Sequence, residues 1–127
     1  MKKMIKLSDI FMCGSFEPER IHEDYRVFIV PKGITDTDQL LILFEQGLDF
    51  PYFGHNWNAL SDCLRDLDWI TEHNVVIIHK DIPNLIECDL KSYLSVLRDS
   101  MYDWLRSYEH KLLIIFPKEM ENIPVEA

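Results

Sequence analysis

Short runs of almost unbroken apolar residues alternate along this chain with stretches whose apolar positions recur every three or four residues. Tyr25–Val30, β-branched and aromatic and closed by Pro31 and Gly33, reads as a strand. Its apolar end is continuous, the pattern of a strand covered on both faces. Val75–Ile78 reads as a second strand, and Leu112–Phe116, stopped by Pro117, as a third. After the first strand, Thr35 and Asp36 can cap a helix that turns Leu40, Leu43 and Phe44 inward and ends at Gly47. The spacing Asp36-x-x-Gln39 resembles a capping box. Lys80–Leu90 contains Pro83 and reads as a loop. Lys91 to about Glu109 reads as a long helix with Leu94, Leu97, Met101, Trp104 and Leu105 on one side.

The stretch Phe50–Asp68 departs from these simple patterns. It opens as an aromatic turn in which Pro51 sets one φ and Gly54 can take the positive φ that a sharp helix start needs. Asn56 is placed as the N-cap of a helix running to about Trp69. Trp57, Leu60, Leu64 and Leu67 share its buried face, while Asn58, Asp62 and Asp66 form a polar row with Ser61 and Arg65 alongside. Tyr52 is expected to show its ring to solvent and Phe53 to pack under the first helix.

Strand, two helices, strand, long helix, strand is an order that favours parallel pairing through right-handed crossovers. The expected fold is a small three-stranded parallel α/β sheet with packed helices, spanning 25–117. Residues 1–24 are expected to pack on its edge as an N-terminal appendage, with Ile5, Leu7, Ile10, Phe11 and Met12 forming a short strand or helical turn broken by Gly14 and Pro18. The polar tail 118–127 is expected to be poorly fixed.

Composition narrows the function. The chain has 127 residues and a net charge of −9, which disfavours nucleic acid or an anionic membrane and suits a cationic protein partner. No apolar run is long enough to span a bilayer, and Ser8, Asp9 and Gly14 interrupt any signal-peptide core, so a cytoplasmic location is expected. Cys13, Cys63 and Cys88 share no metal-type spacing and read as buried or free thiols. His73, His79 and Cys88 match no standard zinc pattern, the simpler reading being a surface histidine and a core cysteine. No cofactor is implied. Phosphate-loop, Gly-x-Ser-x-Gly and His-Glu-x-x-His motifs do not occur, which leaves His55 with Asp62 or Asp66 as the one pairing open to acid–base chemistry.

The run Tyr52-Phe53-Gly54-His55-Asn56-Trp57-Asn58-Ala59-Leu60-Ser61-Asp62-Cys63-Leu64 resembles the signature of the barstar family, intracellular protein inhibitors of ribonucleases. The resemblance implies the same three-stranded architecture and a non-enzymatic inhibitor. Its inhibitory surface would be this aromatic turn, this helix and acidic positions on a later helix. Asp62 corresponds to the family's central aspartate, and Tyr52, Gly54 and Asn56 match interface positions. Leu94–Asp99 is similar to the last-helix segment, which puts Asp99 at an acidic contact, with Asp103 one turn on. Asn58 replaces an aspartate contact and Ser61 an aromatic one, implying the same mode of action against a different target.

The expected function is therefore blockade of a cationic ribonuclease or RNase-type toxin. Carboxylates on a rigid helix would stand where RNA phosphates sit, in a 1:1 complex with a monomeric inhibitor. The implied contacts are Tyr52, Phe53, Gly54, His55, Asn56, Asn58, Ser61, Asp62, Asp66, Asp99 and Asp103. The alternative is a protein of this fold that binds and regulates a partner other than a nuclease.

Overall fold

In the computed structural model, which describes residues 3–20 and 23–126, the chain runs β1 (Met4–Lys6), β2 (Met12–Cys13), β3 (Tyr25–Val30), α1 (Thr37–Gly47), α2 (Trp57–Asp66), β4 (Asn74–His79), α3 (Glu87–Trp104), β5 (Lys111–Phe116) and β6 (Pro124–Glu126). The α/β architecture expected from the apolar pattern is present, but the main sheet has four strands in the order β2-β5-β4-β3, all parallel. The extra strand is Met12–Cys13, registered against Ile115 and Phe116 and continued by Gly14 N–H donating to the Phe116 carbonyl. Two residues are too few to show a period, so only backbone pairing reveals this strand.

The chain ends are also better fixed than their composition suggests. β1 and β6 pair antiparallel and join the two ends in a second, two-stranded sheet. Leu7 and Phe11 are buried in the core, Phe11 lying 5.2 Å from the Phe116 ring, and Val125 follows them from the other end. The tail is held because Val125 is buried and Glu126 pairs with Lys91 Nζ at 2.6 Å.

Helix boundaries moved for identifiable reasons. α1 starts as expected, with Asp36 accepting from Gln39 N–H at 3.2 Å. α2 stops at Asp66, short of Trp69, because Leu67 adopts a left-handed φ of 49° and caps it. α3 begins at Glu87, earlier than Lys91, with Glu87 and Asp89 facing its positive end. It ends at Trp104, whose indole N–H donates to the Leu64 carbonyl at 2.7 Å, and Leu105 is left 71% exposed instead of joining the apolar face.

Right-handed crossovers that step steadily from β3 to β4 to β5 must put α1, α2 and α3 on one face of the sheet. Ring contacts mark that face: Phe28 against Phe44 at 4.7 Å, and His79 against Tyr93 at 5.8 Å. The helices therefore cover one face; on the other, Val76 and Ile115 are buried as the continuous apolar runs implied, while Ile29 of β3 is 47% exposed. The reading of a surface histidine and a core cysteine is reversed at two of the three positions, since His79 is buried and Cys88 exposed, while His73 is half-buried. His79 Nδ1 meets the Ile115 carbonyl at 3.1 Å, so its Nε2 accepts from the Tyr93 hydroxyl at 2.6 Å.

Candidate functional site

Short-range contacts shape the aromatic turn before α2. Pro51 and Tyr52 bring the chain over the end of α2, where the Cys63 thiol donates to the Tyr52 carbonyl at 3.4 Å. Phe50 is buried and stacks edge-on with Phe53 and Trp69, whose indole N–H is tied to the Leu48 carbonyl at 2.7 Å. Asn56 caps α2, its side-chain oxygen accepting from Ala59 N–H at 2.8 Å while its amide donates to the Gly54 carbonyl. The positive φ expected of Gly54 falls on its neighbour: His55 has φ 51° and Gly54 does not. The left-handed residue is the one directly before the cap, and the His55 ring is held there by Glu45 Oε1 at 3.0 Å.

That contact decides where His55 lies chemically. Its imidazole pairs with Glu45 of α1, not with Asp62 or Asp66, so the acid–base pairing open in the sequence is not assembled. Among the described residues no group of three or more His, Cys, Asp or Glu is placed to hold a metal ion.

Tyr52 is 52% exposed, and Phe53 is half-buried against the core, as the turn's composition suggested. Tyr52 donates its hydroxyl to Asp66 Oδ2 at 2.7 Å, and that bond is the chief reason its ionisation is pushed up to about 12. Burial, reinforced by the Asp66 and Asp62 charges, pushes the Cys63 thiol up to about 11, leaving it a neutral packing group.

Asn58, Asp62 and Asp66 project from the exposed side of α2, and Ser61 beside them is half-buried. Their carboxylates differ in what holds them. Asp66 accepts from Tyr52, Asp99 pairs with Arg98 at 3.0 Å, and Asp103 pairs across to Arg65 at 3.2 Å. Asp62 alone of these four has no ion pair or side-chain hydrogen bond among the described residues. Arg65–Asp103 and Trp104–Leu64 join the ends of α2 and α3, while the Trp57 indole N–H reaches Asp89 Oδ1, at the start of α3, at 3.4 Å. The two helices thus run side by side in the same sense and carry the acidic positions on adjoining elements.

A family model described as Barstar (barnase inhibitor) matches residues 26–117. The chain belongs to the barstar family. Members of this family are known as ribonuclease inhibitors and immunity modules. No curated protein sequence and no solved structure gave a match. The barstar match takes in β3 from Arg26 on, the aromatic turn, α1, α2 and α3, and β4 and β5, and leaves β1, β2 and β6 outside it. Sequence reasoning missed Asp89, which also accepts from Thr37 Oγ1 at 2.8 Å and so ties the first turns of α1, α2 and α3 together. Its only signal is an acidic residue in the first turn of a helix, too common to single out.

Proposed function

We propose that this barstar-family protein is a non-enzymatic inhibitor that occupies the active site of a cationic ribonuclease or RNase-type toxin. The observation that carries the reading is Asp62, exposed on a capped helix and without an ion pair among the described residues. A carboxylate so held loses little conformational freedom on binding, and it can replace a substrate phosphate among Lys, Arg and His side chains. Asp66 adds a second charge on the same helical face, and Tyr52 supplies a rigid aromatic anchor beside it. Gly54, Asn56, Asn58 and Ser61 would shape the surround, with Phe53 and His55 supporting the turn and Asp99 and Asp103 contacting from α3.

On this reading one inhibitor domain meets one nuclease, and the protein protects the cytoplasm of a cell that makes the toxin. The domain spans 25–117, and the segments on either side of it stay outside the contact surface. One observation favours the rival reading of a partner other than a nuclease. Arg98 and Arg65 already neutralise Asp99 and Asp103, which makes the surface less acidic than its sequence.

The test is RNA cleavage by candidate cationic ribonucleases and toxins, with and without the purified protein, against an Asp62→Asn control. Stoichiometric inhibition that this substitution abolishes supports the proposal. Recovery only of partners lacking nuclease activity overturns it in favour of the regulatory reading.

A further inference from the structure

The first turns of the three helices meet at one carboxylate. Asp89, in the first turn of α3, is half-buried, and each of its oxygens serves a different helix. Oδ2 accepts from the hydroxyl of Thr37, the first residue of α1, at 2.8 Å. Oδ1 accepts from the indole N–H of Trp57, the first residue of α2, at 3.4 Å. The second contact is long for a hydrogen bond and would count for little alone. It is backed by packing, because the Trp57 ring lies 5.9 Å from that of Tyr93, one turn along α3 from Asp89. Tyr93 is itself fixed, fully buried with its hydroxyl on His79 at 2.6 Å. One face of α3 therefore grips the indole twice, by its edge at Asp89 and by its ring at Tyr93.

Electrostatics explains why the edge contact is a carboxylate. The start of a helix carries unsatisfied N–H groups and a partial positive charge, which a nearby anion stabilises. α1 has Asp38 in its first turn and α3 has Glu87 besides Asp89, but α2 has no acidic residue in its own. Asp89 brings a negative charge to the start of α2 from the neighbouring helix. The far end of α2 is held separately, by Trp104 on the Leu64 carbonyl and by Asp103 on Arg65. Asp62 lies between these two attachments, and its side chain has no ion pair or hydrogen bond among the described residues. Only the placement of the helix decides where that carboxylate stands.

We propose that Asp89 is a positioning residue for the contact surface. By holding the start of α2 to α1 and α3, it fixes where Asp62 is presented, and it acts through the helix without touching the partner. This role rests on the reading of α2 as the inhibitory helix, but the first measurement needs only the free protein.

That measurement is amide hydrogen exchange of the full chain, read residue by residue by NMR, in wild type and Asp89→Ala. Exchange at Ser61 and Asp62, in the first half of α2, should speed up about tenfold more than at Leu67, whose N–H closes the last turn on the Cys63 carbonyl. Uniform acceleration along α2, the mark of plain destabilisation, overturns the proposal, and so does no change. If Asp89→Ala does not fold, Thr37→Val keeps the side-chain shape and removes the hydroxyl that orients the carboxylate. The same gradient along α2 is then expected, and its absence is equally fatal. The second measurement is affinity for an inhibited ribonuclease. If Asp89 acts through Asp62, Asp62→Asn should weaken binding by a factor about fivefold smaller in Asp89→Ala than in the wild-type chain. Equal factors in the two backgrounds overturn the proposal. Failure to bind any ribonuclease, with the exchange gradient present, overturns the inhibitor reading instead and leaves Asp89 as the residue that places α2.

Discussion

The Tyr52 hydroxyl donates to Asp66 Oδ2 at 2.7 Å, closing the aromatic turn onto the last turn of the helix it introduces. Ionising Tyr52 would break this bond and set two negative charges together, which is why its pKa rises from 10.0 to about 12. Spectrophotometric titration of Asp66→Asn should bring one tyrosine ionisation back from about 12 towards 10. In Tyr52→Phe that high ionisation should vanish. The pair is exposed, so stability should change by only about 1 kcal/mol or less in either variant. An unaltered titration curve would mean that the contact does not form in solution.

Asp62→Asn should leave the melting temperature nearly unchanged, because the side chain is exposed and bonds to nothing among the described residues. Binding to the partner should weaken by about 3–5 kcal/mol if the carboxylate meets a buried cation there. Calorimetry on wild type and variant measures this directly. An equal affinity for both would remove Asp62 from the centre of the contact.

His79 makes stability depend on acid. Burial pulls its pKa down from 6.5 to about 3, with the Ile115 carbonyl opposing weakly. Between these values the unfolded chain binds a proton that the folded protein refuses. The contribution is therefore intact above pH 6.5 and is lost as the pH falls from 6.5 towards 3, at about 1.4 kcal/mol per unit. Urea unfolding at pH 6.0 and 5.0 should show this slope. His79→Gln, which can still donate to Ile115 and accept from Tyr93, should flatten it by about one proton.

Two glycines should respond oppositely to alanine. A Cβ on Gly47 would overlap the Phe28 ring, which is buried between β3 and α1, so Gly47→Ala should cost about 1–3 kcal/mol. A Cβ on Gly54 would meet Asn56 Nδ2 at 3.5 Å and Ala59 Cβ at 3.6 Å, ordinary contacts at a residue without positive φ. Gly54→Ala should be close to neutral in denaturant titrations. A large loss there would return the left-handed role from His55 to Gly54.

Local rules made much of the fold legible. The caps Asp36 and Asn56, the strand Tyr25–Val30 and the buried row Leu60, Leu64 and Leu67 all lie where spacing put them. Each depends on neighbours within about one helical turn or on a two-residue alternation, and such information is present in the order of residues. The barstar signature was legible for the same reason, since its residues are contiguous.

Pairings between distant segments were not. Nothing in Met12–Cys13 announces a fourth strand, and nothing in Pro124–Glu126 announces its partner Met4–Lys6. Six carboxylates between Glu45 and Glu72 read alike in sequence. The fold gave Glu45 to His55, shared Arg26 between Asp49 and Glu72, and left Asp62 free of any partner among the described residues. The sequence by itself determined the parallel α/β order, the helix caps and the family. Tertiary structure decided which charges are spent internally and which distant segments pair as strands. Those outcomes depend on which side chains meet across the folded chain, and neighbouring residues carry no record of that.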